Sequence, residues 1–262
     1  MSSPEKMPVV FIGHGSPMNA IADNAFTKSL NKLGKDLPRP KAIVIISAHW
    51  LTHGRFIATT ANPETIHDFG GFPPELYELT YFAPGSPELA KKIYTQLPEL
   101  EYDHHYGLDH GAWTVLRHIY PEHDIPCLQI SIDYDANPQA QYDFGKKLKF
   151  LREQGVLVLG SGNIVHNLRL SMADLMSGEN TPKDFATRFD EVVKDKLLKK
   201  DFQPLIDYKT LGTDAMQSIP TPDHYYPMLT ILGLVEEEDE IKFAYEEVLS
   251  AMSMRCFFAT KK

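Results

Sequence analysis

Apolar positions in this chain fall into short unbroken blocks, separated by longer stretches with helical spacing. The first block, Val9-Val10-Phe11-Ile12, is partly β-branched and stops at Gly13-His14-Gly15-Ser16-Pro17. It predicts a buried strand that hands a histidine to a tight turn, where glycine lets the backbone bend and leaves room beside the imidazole. A second block, Ala42 to Ser47, repeats the design and ends in Ala48-His49-Trp50. Two strands that each end on a histidine predict one site at one edge of one sheet.

Between these blocks, Ile21 to Leu37 carries Ala22, Ala25, Phe26, Leu30 and Leu33 at helical spacing, and Pro38 follows. Arg55 to Thr60 reads as a short third strand. Strand, helix, strand predicts the right-handed βαβ unit of a parallel sheet. Asn62 to Pro87 is loop-rich around His67-Asp68-Phe69-Gly70-Gly71-Phe72-Pro73-Pro74. One reading is a surface loop pinned by two buried rings. The functional reading is a pocket wall, with His67 and Phe72 as candidate substrate contacts.

Further along, Ser86 caps a helix to Leu97, and Asp109 caps one to Tyr120 that opens on His110. Pro126 to Ile132 is a strand and Pro138 to Glu153 a helix ended by Gly155. The strand Val156 to Leu159 runs into a turn at Gly160-Ser161-Gly162 that aims His166 inward. Thr181 to Asp201 is an amphipathic helix capped by Thr181, and Pro204 to Leu211 a shorter one. His224 lies on the lead-in to a helix that begins near Pro227 and is closed by Gly233. The acidic run Glu236 to Glu240 reads as a solvated turn. Ile241 to Tyr245 and Met252 to Ala259 read as final strands, with Glu246 to Met252 equally open to a helix. The alternation predicts an α/β fold: a single domain over residues 1–262 with a mostly parallel central sheet flanked by helices.

Composition narrows the function classes. The chain has 262 residues, 43% hydrophobic and 23% charged, enough for a full core. A formal net charge of −9 argues against nucleic acid or an anionic membrane as partner. Cys127 and Cys256 are too few for a disulfide framework and read as buried thiols in a reducing compartment. The N-terminal stretch Met1 to Lys6 lacks a leader's apolar core, and no apolar run reaches the ~20 residues that span a bilayer. The expectation is a cytoplasmic protein.

Histidine is the unusual entry, with 11 in the chain. His14, His49 and His166 follow strands, while His110 and His224 sit at helix entries, and in open α/β sheets ligands bind beyond the carboxyl ends of the strands. Neutral imidazoles suit iron, zinc, copper or nickel, and three ligands with vacant positions mark a catalytic metal. No His-Glu-x-x-His helix or paired-cysteine motif is present. Gly160-x-Gly162 lacks the third glycine of a dinucleotide loop, because Val165 stands there, and neither Ser16 nor Ser161 lies in a Gly-x-Ser-x-Gly elbow. Taken from the residues alone, a zinc hydrolase, a metal oxygenase and a binding protein that retains only the fold all remain open.

The ordered set His14-Gly15-Ser16-Pro17, Ser47-Ala48-His49-Trp50, His67 to Pro73, Gly107-Leu108-Asp109-His110-Gly111, Gly160 to His166 and His224-Tyr225-Tyr226-Pro227 resembles the class III extradiol ring-cleavage dioxygenases, in their DOPA 4,5-dioxygenase branch. The resemblance spans nearly the whole chain. It implies a mononuclear non-haem Fe(II), often replaced by Zn(II) in purified protein, with a catechol and O2 as partners. It implies His14, His49 and His224 as metal ligands, with His224 standing where protocatechuate-type relatives carry glutamate. His166 resembles the acid/base and is a fourth ligand when zinc fills the site. His110 resembles a residue that hydrogen-bonds substrate or oxygen. Asp223 competes with its neighbour His224 to face the metal.

Overall fold

The β-branched blocks form the centre of the molecule because alternate residues bury on opposite faces. In the computed structural model, which describes residues 6–262, six strands form one sheet: β1 (Val9–Gly13), β2 (Ala42–Ser47), β3 (Cys127–Gln129), β4 (Val156–Gly162), β5 (Asp239–Tyr245) and β6 (Cys256–Lys261). Their spatial order is β3-β2-β4-β1-β6-β5. The first four are parallel, with Ser47 opposite Ser161 and Gly13 opposite Gly162, while β6 and β5 add antiparallel to the β1 side. The expected α/β domain with a mostly parallel sheet is therefore present, with an antiparallel edge.

Both faces are covered by helices. Val9, Phe11, Val44, Ile46 and Val158 share a core with α4 (Pro138–Lys147), α6 (Asp184–Lys199) and α7 (Tyr226–Leu234). Val10, Ile12, Ile43, Ile45 and Leu159 pack against α1 (Ala25–Asp36) and α3 (His110–Ile119). The remaining longer helices are α2 (Pro87–Gln96) and α5 (Leu168–Ser177). Both cysteines are buried and free. No helix among the described residues is long and apolar enough to cross a membrane. The stretch Met1 to Lys6, apart from Lys6, lies outside the described residues.

Several boundaries differ from the sequence reading, each for a local reason. α1 starts at Ala25, because Asn24 and Thr27 form a reciprocal capping box. Ser86 holds the N-cap position of α2 as expected but without a side-chain cap bond, and Thr181 is not a cap, because α6 begins at Asp184 after Lys183. Phe56–Ala58 leaves the main sheet and pairs with Glu101–Asp103. The segment 126–132 divides, with Ile132–Asp133 pairing Leu51–Thr52. The helix from Pro138 breaks after Lys147 and resumes as one turn, Phe150–Glu153. Residues 248–253 form a small hairpin.

Two corrections matter more. The acidic run is not wholly solvated: Asp239 is fully buried and takes Arg152 bidentately at 2.6 and 2.8 Å. Arg152 also donates to the Met7 and Leu234 carbonyls at 2.8 and 3.0 Å. Gly160 and Gly162 do not form a turn but continue β4. A Cβ on Gly162 would lie 2.2 Å from the His224 carbonyl oxygen, and one on Gly160 would lie 2.9 Å from that of Pro227. The glycines let the start of α7 lie directly on the strand.

Candidate metal centre

The parallel strands end together, and that places the histidines. His14 N–H extends β1 by donating to the Gly162 carbonyl (3.0 Å), and Ala48 N–H extends β2 by donating to that of Ser161 (2.9 Å). His14 and His49 thus leave the same rim from strands that flank β4 on either side. His224 arrives from above, its carbonyl accepting from Asn163 N–H at 2.8 Å just past the end of β4. His166, four residues beyond β4, stacks on His224 with ring centres 3.4 Å apart and planes at 8°. His110 is the first residue of α3, held there because Asp109 caps the helix by accepting from Ala112 N–H.

The side chains converge. His14 Nε2 and His49 Nε2 are 3.2 Å apart. Ring centres are 5.0 Å apart for His14–His49, 5.3 Å for His14–His224 and 5.0 Å for His49–His224, an almost regular triangle. These three residues offer nitrogens within 4.8 Å of one another. His110 lies 3.8 Å from the His49 ring. An open cleft of about 580 Å³ reaches the group, lined by His166, Asn167, Arg169, Pro220, Asp223 and His224.

Each of the three imidazoles turns Nδ1 toward an oxygen, and His14 and His49 face each other through Nε2. His14 Nδ1 meets Ser161 Oγ at 2.9 Å. His49 Nδ1 lies 3.4 Å from Asp68 Oδ2, and His224 Nδ1 pairs with Asp223. Asp223 therefore backs His224. Asp68 also accepts from the His110 Nδ1 (2.9 Å) and backbone N–H (2.8 Å).

Electrostatics keep the rings neutral. Burial first, then the neighbouring imidazoles, push His14 and His224 well below the ordinary histidine range. Burial also lowers His49 to about 3, aided by His110 and opposed by Asp68, and lowers His166 to about 4. For Asp68, burial acts upward, but the His110 hydrogen bond and charge prevail and hold the carboxyl below its usual range.

A divalent ion fits this donor set. Two nitrogens bound to one ion at ~2.1 Å lie roughly 3.0–3.4 Å apart, which matches the facing Nε2 pair. With both rings protonated on Nδ1, a cation between the two Nε2 atoms keeps two lone pairs from facing each other in a buried space. Imidazole donors select iron, zinc, copper or nickel over magnesium or calcium, and three of them leave vacancies.

Residues 8–255 match the family model described as the catalytic LigB subunit of aromatic ring-opening dioxygenase. The chain belongs to this family. That is the class III extradiol group to which its histidine motifs point, and the chain is a ring-opening dioxygenase by class. It is 41% identical over 259 residues to 4,5-DOPA dioxygenase extradiol of Escherichia coli K12, covering 96% of this chain and 94% of the relative. The Beta vulgaris protein of the same name is 33% identical over 249 residues, covering 90% and 89%. A crystal structure of an uncharacterized Escherichia coli K12 protein superposes with a TM-score of 0.84 at 38% identity, over 97% of this chain and 99% of that one.

The loop candidates sit at the margin. His67 Nε2 is bound to the Leu79 carbonyl (3.0 Å), and Phe72 packs on Phe69. Phe69 is the ring that stands edge-on to His110, with centres 5.6 Å apart. Asp68, Ser161 and Phe69 hold roles that the sequence does not assign them, although each lies inside one of its motifs. For Asp68 and Ser161 the available signal is a polar side chain beside a histidine or between glycines.

Proposed function

We propose that this protein is a mononuclear Fe(II) extradiol dioxygenase that opens the ring of DOPA or a related catechol with O2. The observation that carries the proposal is the triangle of His14, His49 and His224, each with Nδ1 beside an oxygen, next to a cleft that admits an aromatic ring. Ferrous iron held there would bind both catechol oxygens and transfer electrons between catechol and O2.

The chain's own residues do the rest. Three neutral imidazoles add no negative charge, so the site favours an anionic catecholate. His166 lines the cleft with no side-chain hydrogen bond to another described residue, so its ring nitrogen is available to take a catechol proton and return it later. A positioned histidine contributes ~10²–10⁴ in rate in such a role. His110, fixed through Nδ1 by Asp68, presents Nε2 toward the bound substrate or oxygen. Phe69 and Phe72 give the ring an apolar wall, and His67 anchors that wall to Leu79. When zinc occupies the centre, His166 is close enough to His224 to serve as a fourth ligand.

The test is anaerobic loading of metal-free protein with Fe(II), then O2 uptake across a panel of catechols. We expect one O2 consumed per ring opened, with DOPA or a close analogue turned over best. Fully ferrous protein that turns over no catechol ends the proposal. A zinc hydrolase built on the same triangle would consume no O2, and the family match lends it no support.

A further inference from the structure

We propose that Ser161 is the positioning residue that sets the tautomer of His14. The proposal rests on His14 being a metal ligand. Ser161 lies in mid-strand between Gly160 and Gly162, and its hydroxyl is fully buried between two partners. Its Oγ is 2.5 Å from the Gly111 carbonyl oxygen and 2.9 Å from His14 Nδ1. Two oxygens that close require a hydrogen between them, and a carbonyl has none to give. The serine proton therefore points at Gly111. Only a lone pair is left for His14, so Nδ1 must carry the ring's hydrogen and Nε2 must be bare.

The acceptor is itself immobile. Gly111 is the second residue of α3, directly behind the Asp109 cap. A Cβ on Gly111 would lie 2.6 Å from Ser47 Oγ and 2.9 Å from His49 Cδ2, so the helix start is packed hard against the rim. One peptide unit thus borders His49 through its Cα and governs His14 through its carbonyl. His14 also differs from the other two members of the triangle. Asp223 stands behind His224 as a carboxylate, which accepts only, so the tautomer of His224 follows directly, while Asp68 lies 3.4 Å from His49 Nδ1. A hydroxyl can donate or accept, so at His14 the choice is made by the third group, Gly111.

The test uses Ser161→Ala, which removes one oxygen from a buried site and adds no volume. Zinc alone serves as the probe, titrated against a chromophoric chelator. We expect Ser161→Ala to bind zinc about 10–100-fold more weakly than wild type, the usual cost of losing an outer hydrogen bond to a ligating histidine. Nitrogen NMR of metal-free wild type, labelled in histidine, should find His14 protonated on Nδ1, and the variant should show a mixture of the two tautomers. Packing loss alone would not move that signature. Equal zinc affinity in a folded Ser161→Ala, or wild-type His14 protonated on Nε2, overturns the inference. If the variant does not fold, the wild-type spectrum decides. Wild type that binds no zinc at all would instead count against the metal site itself.

Discussion

The two rims of the central sheet both bury polar groups, and they do so in opposite ways. At the amino rim of the parallel strands, Arg152 meets Asp239 and two carbonyls, so each guanidinium nitrogen faces an acceptor. At the carboxyl rim, His14 Nε2 faces His49 Nε2 at 3.2 Å, which sets acceptor against acceptor when both rings carry their hydrogen on Nδ1. The first arrangement is complete as it stands. The second fits a cation between the two nitrogens. Burial alone does not distinguish a scaffold cluster from a functional one; the pairing of like with like does.

Acid should separate the rims most strongly. In metal-free protein the four imidazoles of His14, His49, His166 and His224 stay neutral on folding, while unfolded histidine takes a proton near pH 6.5. The unfolded chain then binds more protons, so stability is full above that pH and falls as pH drops toward 4. The slope is up to about 1.4 kcal/mol per pH unit for each imidazole. Asp239 works the other way. Burial raises its carboxyl, but Arg152 more than compensates and holds it below its usual range, so that pair survives the same window. Denaturant midpoints of metal-free protein between pH 7 and 4 check this, and a flat profile would contradict it.

Arg152→Met comes next. It strands a buried carboxylate and should cost ~3–5 kcal/mol of stability. Zinc affinity of the folded variant should not change, since the substitution is at the far rim. Asp68→Asn is the smallest effect and the mirror image. It weakens the acceptor behind His49 and His110, so zinc affinity should fall about 10-fold to 100-fold. Chemical denaturation of the metal-free variant should match wild type to within about 1 kcal/mol, because Asp68 is partly exposed. If both substitutions move the same quantity, the contrast between the rims is wrong.

What could be read from the chain follows the same division. Strand blocks and the histidines just beyond them are local patterns, so β1, β2, His14 and His49 were legible. Partners far away in sequence were not. Ser161 lies 147 residues from His14, Asp68 lies 42 from His110, and Arg152 lies 87 from Asp239. Asp239 therefore looked like one more acid in a solvated run. Gly160 and Gly162 were read as a turn because glycine usually signals one. Their actual cause is the passage of residues 224–227 across β4, a tertiary contact with no trace in the local pattern.

The sheet order has a consequence for how the enzyme is made. β1 sits between β4 and β6, so a strand made early is paired on one side by residues 156–162 and on the other by residues 256–261. His14 and His49 must also await His224. A nascent chain therefore carries scattered imidazoles with no chelating geometry until residues beyond 224 have been made. Any metal held by this triangle is captured only once these distant segments have met, and folding should be slow, as expected when the pairings that matter close such long loops.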